Sequence, residues 1–412
     1  MIIIYRLLIN LLLIFSPLII IYRILINKED KKRFIEKFSF SSIKRKKGNL
    51  YWFHGASVGE LKSIIPLLIK FEKDKTVNQI LVTSNTLSSS KILKQYNLRK
   101  VVHQFFPIDS NFIIKRFINH WKPNKVFLID SEIWPNLIFF LNKIKIPLIL
   151  LNARITKKTF LRWSFLKKFS EQIFAKFNIC LTANLESQKY LKKLKAKNIK
   201  YIGNLKFIRN TRENFTRNQK FVRYIKNKKV WCASSTHENE ELICGLAHKN
   251  LKKKYKNLLT VIIPRHINRV GNIKNDLEKS GLTVQIHKKE KKIQEGIDIY
   301  LVSSYGETAM FYSEIKNIFM GGSLIKHGGQ NPLEAIRFGC RIINGPFVSN
   351  FKEIYDFLIK ERISTQIKSL KNLSKLMDKL FSISLKTNIV QNKIRIIGDR
   401  ILEQTYNEIK KT

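Results

Sequence analysis

The residues of this chain able to do chemistry recur directly behind short apolar runs. Glu60 closes the turn Gly55-Ala-Ser-Val-Gly-Glu60, behind the run Asn49–His54. A carboxylate there can take the proton of an attacking hydroxyl as the new bond forms. The same residues, Ser57-Val-Gly-Glu60, also fit S-x-x-E, in which serine and glutamate cap a helix reciprocally, so both uses stand. Asp130-Ser-Glu132 and Asn152-Ala-Arg154 occupy equivalent places behind two further runs. Lys206, in Gly203-Asn-Leu-Lys206, and Arg265, in Pro264-Arg-His266, are cations that either hold phosphate or carboxylate or lie solvated on the surface. Tyr305-Gly306-Glu307 stands behind another run. His237 and His266 read as hydrogen-bonded structural residues, because no carboxylate partner can be assigned to them.

The richest stretch runs from Met320 to Gly339. Lys316–Met320 before it and Arg341–Ile343 after it read as buried strands, the second ended by Asn344-Gly-Pro346. Gly321, Gly322, Gly328 and Gly329 allow backbone shapes and close approaches that side chains block. Asn331 is a suitable N-cap and Pro332 a suitable first helical residue. Strand, glycine loop, helix start and strand together predict free N–H groups facing an anion. Glu334 is placed to reach sugar hydroxyls there; alternatively Asn331 and Glu334 only cap the helix.

Positioning these groups takes alternating strands and helices. Strands are expected at Asn49–His54, Gln79–Thr83, His103–Phe106, Lys125–Ile129, Pro147–Leu151, Ile179–Ala183 and Lys200–Ile202. A second set is expected at Val230–Ala233, Leu258–Ile263, Thr283–His287, Ile299–Val302 and the pair around the glycine loop. Such alternation predicts an α/β protein of two doubly wound, Rossmann-like domains, 49–207 and 230–385, facing a central cleft. The polar stretch 208–229 reads as a linker. Residues 386–412 read as a C-terminal helix with an apolar stripe of Ile389, Val390, Ile394, Ile397, Ile401 and Leu402.

Ahead of these lies a long apolar run, residues 2–26, within a predicted membrane anchor of 1–27; a basic connector, 28–48, follows. The run is long enough to span a bilayer, and Arg6 and Arg23 can snorkel to its interfaces. Lys28-Glu-Asp-Lys-Lys-Arg33 follows without a small-residue cleavage site, which predicts a retained anchor with the remainder of the chain cytoplasmic. Pro17 and Arg23 leave an interface-lying helix as a serious alternative. The formal charge is +47, from 77 Lys+Arg against 30 Asp+Glu, and favours anionic lipid or phosphorylated glycolipid as a partner. The basic residues are spread rather than interleaved with aromatics on a strand, so no specific nucleic acid is expected. Cys180, Cys232, Cys244 and Cys340 show no CxxC spacing and predict neither a disulfide framework nor a zinc site.

Several motifs together resemble one family. Trp52-Phe-His-Gly-Ala-Ser-Val-Gly-Glu60, Glu132-Ile-Trp-Pro-Asn-Leu-Ile138, Asn152-Ala-Arg-Ile155, Gly203-Asn-Leu-Lys-Phe207, Ala233-Ser-Ser-Thr-His-Glu238, Pro264-Arg-His266 and Gly321-Gly-Ser with Gly328-Gly-Gln-Asn-Pro-Leu-Glu334 are similar to those of the 3-deoxy-D-manno-octulosonic acid (Kdo) transferases. The resemblance is colinear from the apolar N-terminus to about residue 356. It implies a GT-B fold whose first domain binds acceptor and whose second binds the nucleotide-sugar. The implied reaction is inverting transfer of Kdo from CMP-Kdo to the 6′-hydroxyl of a lipid A precursor, at the cytoplasmic side of the cell inner membrane. Glu60 then stands at the proton acceptor, and Asp130 and Lys206 at groups that stabilise the transition state. Pro264, Arg265, Tyr305, Gly306, Glu307, Asn331, Pro332, Leu333 and Glu334 stand at the CMP site. Asp130 replaces the family's usual Glu, so either it or Glu132 takes the second acidic role. Tyr305 and Gln330 replace an expected Met and His. No cofactor is implied and no metal expected, since no DxD-like pair is present to hold an ion against a diphosphate. Two other readings are a GT-B transferase with a different nucleotide-sugar and, from another class, a membrane-tethered polyanion-binding protein.

Overall fold

The computed structural model describes residues 1–412 except 42, 209–216, 289–290, 305 and 384–386. Its central strands are short, mainly apolar runs buried on both faces, the composition of a parallel sheet covered by helices on each side. The chain divides into two units, Met1–Arg212 with Ile397–Thr412, and Glu213–Ile396.

The first unit carries β1 (Leu50–His54), β2 (Gln79–Ser84), β3 (Val101–Phe105), β4 (Lys125–Ile129), β5 (Leu148–Ala153), β6 (Ile179–Thr182) and β7 (Ile199–Tyr201). They form one parallel sheet in the order β3-β2-β1-β4-β5-β6-β7, with Trp52 opposite Leu81 and Val126. The core on one face gathers the fully buried Trp52, Phe117 and Trp121, with the rings of Trp52 and Phe117 4.8 Å apart. Strand order reverses between β1 and β4. Connections leaving neighbouring strands on opposite sides open a crevice at the carboxyl ends, and ligands of such sheets bind there. Glu60, in the first turn of the helix after β1, and Asp130-Ser-Glu132, in the loop after β4, lie behind those two strands.

The second unit carries β8 (Lys229–Thr236), β9 (Leu258–Pro264), β10 (Val284–Ile286), β11 (Ile299–Leu301), β12 (Asn317–Met320), β13 (Arg341–Asn344) and β14 (Ser364–Gln366). Its order is β10-β11-β9-β8-β12-β13-β14, again all parallel. The reversal falls between β8 and β12, which are followed by His237 and by the glycine loop. β14 was not anticipated: its three residues, Ser-Thr-Gln, offer no apolar pattern.

Part of the stretch read as a linker is structured. Gln219–Ile225 is helical, capped by Asn218, and its fully buried Phe221 packs 5.8 Å from Tyr300 and 5.2 Å from Phe311 within the second unit. The last helix, Thr387–Lys411, begins in the second unit and ends in the first. There Ile401 fills the space above Gly203, and Gly398 lets the helix pass against the backbone of Phe207 and Ile208.

The apolar N-terminal run is one helix, Ile2–Leu25, with a mean hydropathy of 2.3 over its most apolar window. Its polar side chains turn to the first unit: Tyr5 donates to Asp109 at 2.8 Å and Arg6 to Asn136 at 3.2 Å. Asp109 also accepts from the N–H groups of Asn136 and Leu137 at 3.0 and 2.9 Å. Burial nevertheless lifts this carboxyl to about 7. Asp109→Ala strands two buried amides, so it is expected to lower the urea midpoint of the first unit by the equivalent of about 2–4 kcal/mol. Trp52 and Trp121 report that transition by fluorescence. Because the folded-state value lies above the unfolded one, this residue's contribution is complete at low pH and is lost as pH rises through about 7.

Candidate functional site

In the first unit, Glu60 occupies the first turn of the helix Val58–Lys73. Its Oε1 accepts from Ser57 Oγ at 2.8 Å, its Oε2 from the Ala56 N–H at 2.7 Å, and its own N–H donates to Ser57 Oγ at 3.3 Å. Ser57 thus makes its half of the capping box, while Glu60 reaches one residue further back, to Ala56, and these bonds do not fix the carboxyl as a simple anion. Burial, and then the neighbouring charge of Asp130, push it up to about 7 against the hydrogen bonds of the box. A carboxyl so poised exchanges its proton near neutrality, which is what a general base requires.

Asp130 and Asn152 end adjacent strands in the left-handed region, with φ of 56° and 54°. Both residue types tolerate that conformation. The turn brings their side chains together: Asn152 Nδ2 donates to Asp130 Oδ1, while Asn152 Oδ1 accepts from the Leu205 N–H at 2.9 Å. Lys206, the next residue, holds its Nζ 3.8 Å from Asp130 Oδ2. Burial raises the Asp130 pKa, opposed by Lys206, Asn152 and Arg154. Asn152 thus fastens the turn carrying Lys206 to the strand end carrying Asp130. Asn152→Ala is expected to fold but to lower kcat about 10²-fold by letting that pair drift, with a smaller change in KM, in a steady-state assay.

Glu132 is held differently. Its Oε2 accepts from Trp134 Nε1 at 3.0 Å and lies 3.3 Å from His54 Nε2. His54 is fully buried, stacked 3.7 Å from Phe106, with Nδ1 3.0 Å from Thr83 Oγ1. Burial lowers its pKa, opposed by the Glu132 carboxylate, and its ring orients Glu132. His54 lies inside the motif Trp52–Glu60, but from sequence an imidazole at a strand end does not disclose its partners.

In the second unit the glycine loop differs from expectation. Its amides at 322–324 are not free. Glu240, fully buried at the start of the helix Glu240–Lys252, puts both carboxylate oxygens into them. Oε2 accepts from the N–H of Gly322 at 2.6 Å and of His237 at 3.0 Å, and Oε1 from Ser323 at 3.1 Å and Leu324 at 3.0 Å. The protein's own anion therefore fills the nest that the sequence offers to a ligand. Gly321 serves packing: a Cβ there would sit 2.5 Å from the carbonyl oxygen of Ser235.

The rest of the loop remains beside the expected nucleotide residues. Asn331 Oδ1 accepts from the Leu333 N–H at 3.1 Å, but the helix starts only at Leu333 and is five residues long, so Pro332 is its N-cap rather than its first residue. Glu334 Oε1 accepts from Thr308 Oγ1 at 2.6 Å, which joins this loop to the one behind β11. In that loop Gly306 takes φ 83°, and Glu307 accepts from Ser304 Oγ and lies 2.8 Å from His287 Nε2. His287, whose other ring nitrogen lies 2.7 Å from Tyr300 Oη, is placed beside Glu307. Tyr305 lies outside the described residues. Pro264 ends β9, and Arg265 is exposed, its N–H bound to the Thr236 carbonyl at 3.0 Å. His237 lies 3.0 Å from Gln330 Nε2 and 3.8 Å, ring to ring, from His327. Burial, then His327 and His266, lower His237 to about 4, a neutral structural imidazole.

The chain as a whole has counterparts among known proteins. The profile of the family described as 3-deoxy-D-manno-octulosonic-acid transferase (kdotransferase) matches residues 32–209. The 3-deoxy-D-manno-octulosonic acid transferase of Rickettsia bellii (strain RML369-C) is 34% identical over 404 residues, 95% of either chain. A probable mitochondrial one of Arabidopsis thaliana is 34% identical over 82% of this chain and 79% of its own, and that of Haemophilus influenzae 31% over 85% and 84%. Among solved structures, a putative UDP-N-acetylglucosamine 2-epimerase of Listeria monocytogenes superposes with a TM-score of 0.60 at 12% identity, covering 89% of this chain and 98% of that one. Anabaena HepE with UDP-glucose gives 0.56 at 9%, covering 88% and 100%. These likenesses carry the fold, the paired Rossmann-like units of GT-B. With relatives above 30% identity matched over most of their length, the protein belongs to the 3-deoxy-D-manno-octulosonic acid transferase family and is a glycosyltransferase.

Proposed function

We propose that the protein transfers Kdo from CMP-Kdo to the 6′-hydroxyl of a lipid A precursor, with inversion, at the cytoplasmic face of the inner membrane. The observation that carries this reading is Glu60, a carboxyl lifted to about 7 beside Asp130 at the strand-order reversal of the first unit. A sugar hydroxyl is a poor nucleophile until its proton is accepted during attack. Glu60 accepts that proton. The acceptor oxygen bonds to the anomeric carbon of Kdo from one face as the bond to CMP breaks on the other, and the electron pair of the broken bond stays on the CMP phosphate.

Asp130 and Lys206, paired at 3.8 Å, stabilise charge as it develops. Of the two acids, Asp130 takes this role in our reading, because Glu132 is held by Trp134 and His54. Pro264, Arg265, Gly306, Glu307, Asn331, Pro332, Leu333 and Glu334, with Tyr305, hold CMP. The exposed Arg265 supplies charge for its phosphate, since Glu240 already fills the amides at 322–324. A monophosphate leaving group of this kind needs no divalent ion, so transfer is expected to persist in EDTA. The apolar helix Ile2–Leu25 and the formal charge of +47 suit a bisphosphorylated lipid in an anionic leaflet.

The test is transfer followed by mass spectrometry, with detergent-solubilised protein, CMP-Kdo generated in place and a tetraacyl lipid A precursor. A product heavier by one or more Kdo supports donor and acceptor together. Absence of product, or displacement of bound CMP by UDP, overturns the assignment.

A further inference from the structure

The helix Ile2–Leu25 is not a free rod ahead of the first unit. One stripe along its whole length, Ile2, Tyr5, Arg6, Ile9, Leu13, Ser16, Ile20, Arg23 and Ile24, is wholly or partly covered. That spacing of three and four residues is a single helical face. Near one end Tyr5 and Arg6 bind Asp109 and Asn136, and Ser110 Oγ donates to Asn10 at 3.3 Å. Ser16 returns its hydroxyl to the Leu13 carbonyl at 2.7 Å. At the other end Arg23 binds Glu29 at 3.2 Å, and Glu29 also takes Lys37. The opposite face is hydrocarbon apart from Tyr22: Ile4, Leu11, Leu18 and Leu25, seven residues apart, are 52%, 53%, 67% and 74% exposed. Phe112, two residues beyond Ser110, is itself 70% exposed.

We infer that this helix lies in the plane of one membrane leaflet, its exposed face seated in the headgroup–acyl boundary of an anionic bilayer, rather than crossing the bilayer. Tyr5 and Arg23 are about 27 Å apart along the axis at the usual rise, close to the roughly 30 Å of a hydrocarbon core. Both are bound to the same folded unit. A spanning helix would therefore draw Asp109, Asn136 and the backbone groups around them through the hydrocarbon, where unsatisfied polar groups are excluded. An in-plane helix keeps them on the watery side and immerses only the apolar face. Lys28, Lys31 and Lys32, all exposed, meet acidic headgroups where the helix ends.

This rests on the membrane attachment proposed above and is independent of the sugar transferred. The test uses the full chain with single cysteines at Ile4, Leu11, Leu18 or Leu25, spin-labelled and reconstituted into vesicles containing phosphatidylglycerol. The four native cysteines are buried, which leaves the added one as the reactive thiol. Depth is read from collisions with oxygen against a water-soluble nickel reagent. The expected result is one shallow depth at all four sites. A profile in which Leu11 and Leu18 lie about 10 Å deeper than Ile4 and Leu25 overturns the inference in favour of a spanning helix. Labels shielded from both reagents in a dimer overturn it in favour of a second copy. Failure to bind vesicles removes the attachment itself, whatever the transfer assay gives.

Discussion

Glu60→Gln is expected to fold, to bind CMP as the parent does, and to transfer sugar at least about 10²-fold more slowly. Glutamine keeps the helix start, since S-x-x-Q caps as S-x-x-E does, so loss of turnover would report lost proton acceptance rather than lost structure. The pH profile separates the two further. Glu60 works only when deprotonated, so kcat/KM of the parent should rise with pH through a limb near 7, and the limb should vanish in the variant. Asp130→Asn removes a neighbouring negative charge and should move the limb to lower pH, besides slowing the reaction. Near-parental turnover of Glu60→Gln would remove the residue from the mechanism.

Glu240→Gln should be the most damaging conservative change in the second unit. Each carboxylate oxygen accepts two backbone N–H groups, so an amide nitrogen at either position faces donors with a donor. Two stranded buried amides cost roughly 2–4 kcal/mol. The loop they shape also carries Asn331 and Glu334, so CMP affinity should fall with stability. Calorimetric titration with CMP, beside thermal unfolding, reads both. A variant with parental stability and CMP affinity would show that the nest does not shape the loop.

Glu240 also marks where reading the sequence stops. Gly321, Gly322, Gly328 and Gly329 correctly announced a tight loop between two parallel strands, because glycine spacing is local information. What fills the loop's amides is not local, since Glu240 lies 82 residues before Gly322 in the chain. The same holds for His287 beneath Glu307 and for Asn152 between Asp130 and Leu205. Strands were legible to within a few residues because their apolar runs are buried on both faces; β14, a polar edge of three residues, was not. Phe221 shows the reverse case: one aromatic in a basic, polar stretch is enough to bring a short helix into the second unit's core. For Glu60 the competing readings were not alternatives, because one carboxyl both caps the helix and sits near neutrality.

The first unit also has an order of assembly written into it. Its closing segment, Ile397–Thr412, is synthesised only after the whole of the second unit. Until then Gly203 lacks Ile401 above it, and Phe71 lacks Tyr406, 5.0 Å away in the finished fold. The turn that presents Lys206 is therefore among the last parts of the molecule to become firm. A nascent chain can therefore contain every candidate catalytic residue and still lack the scaffold behind one of them.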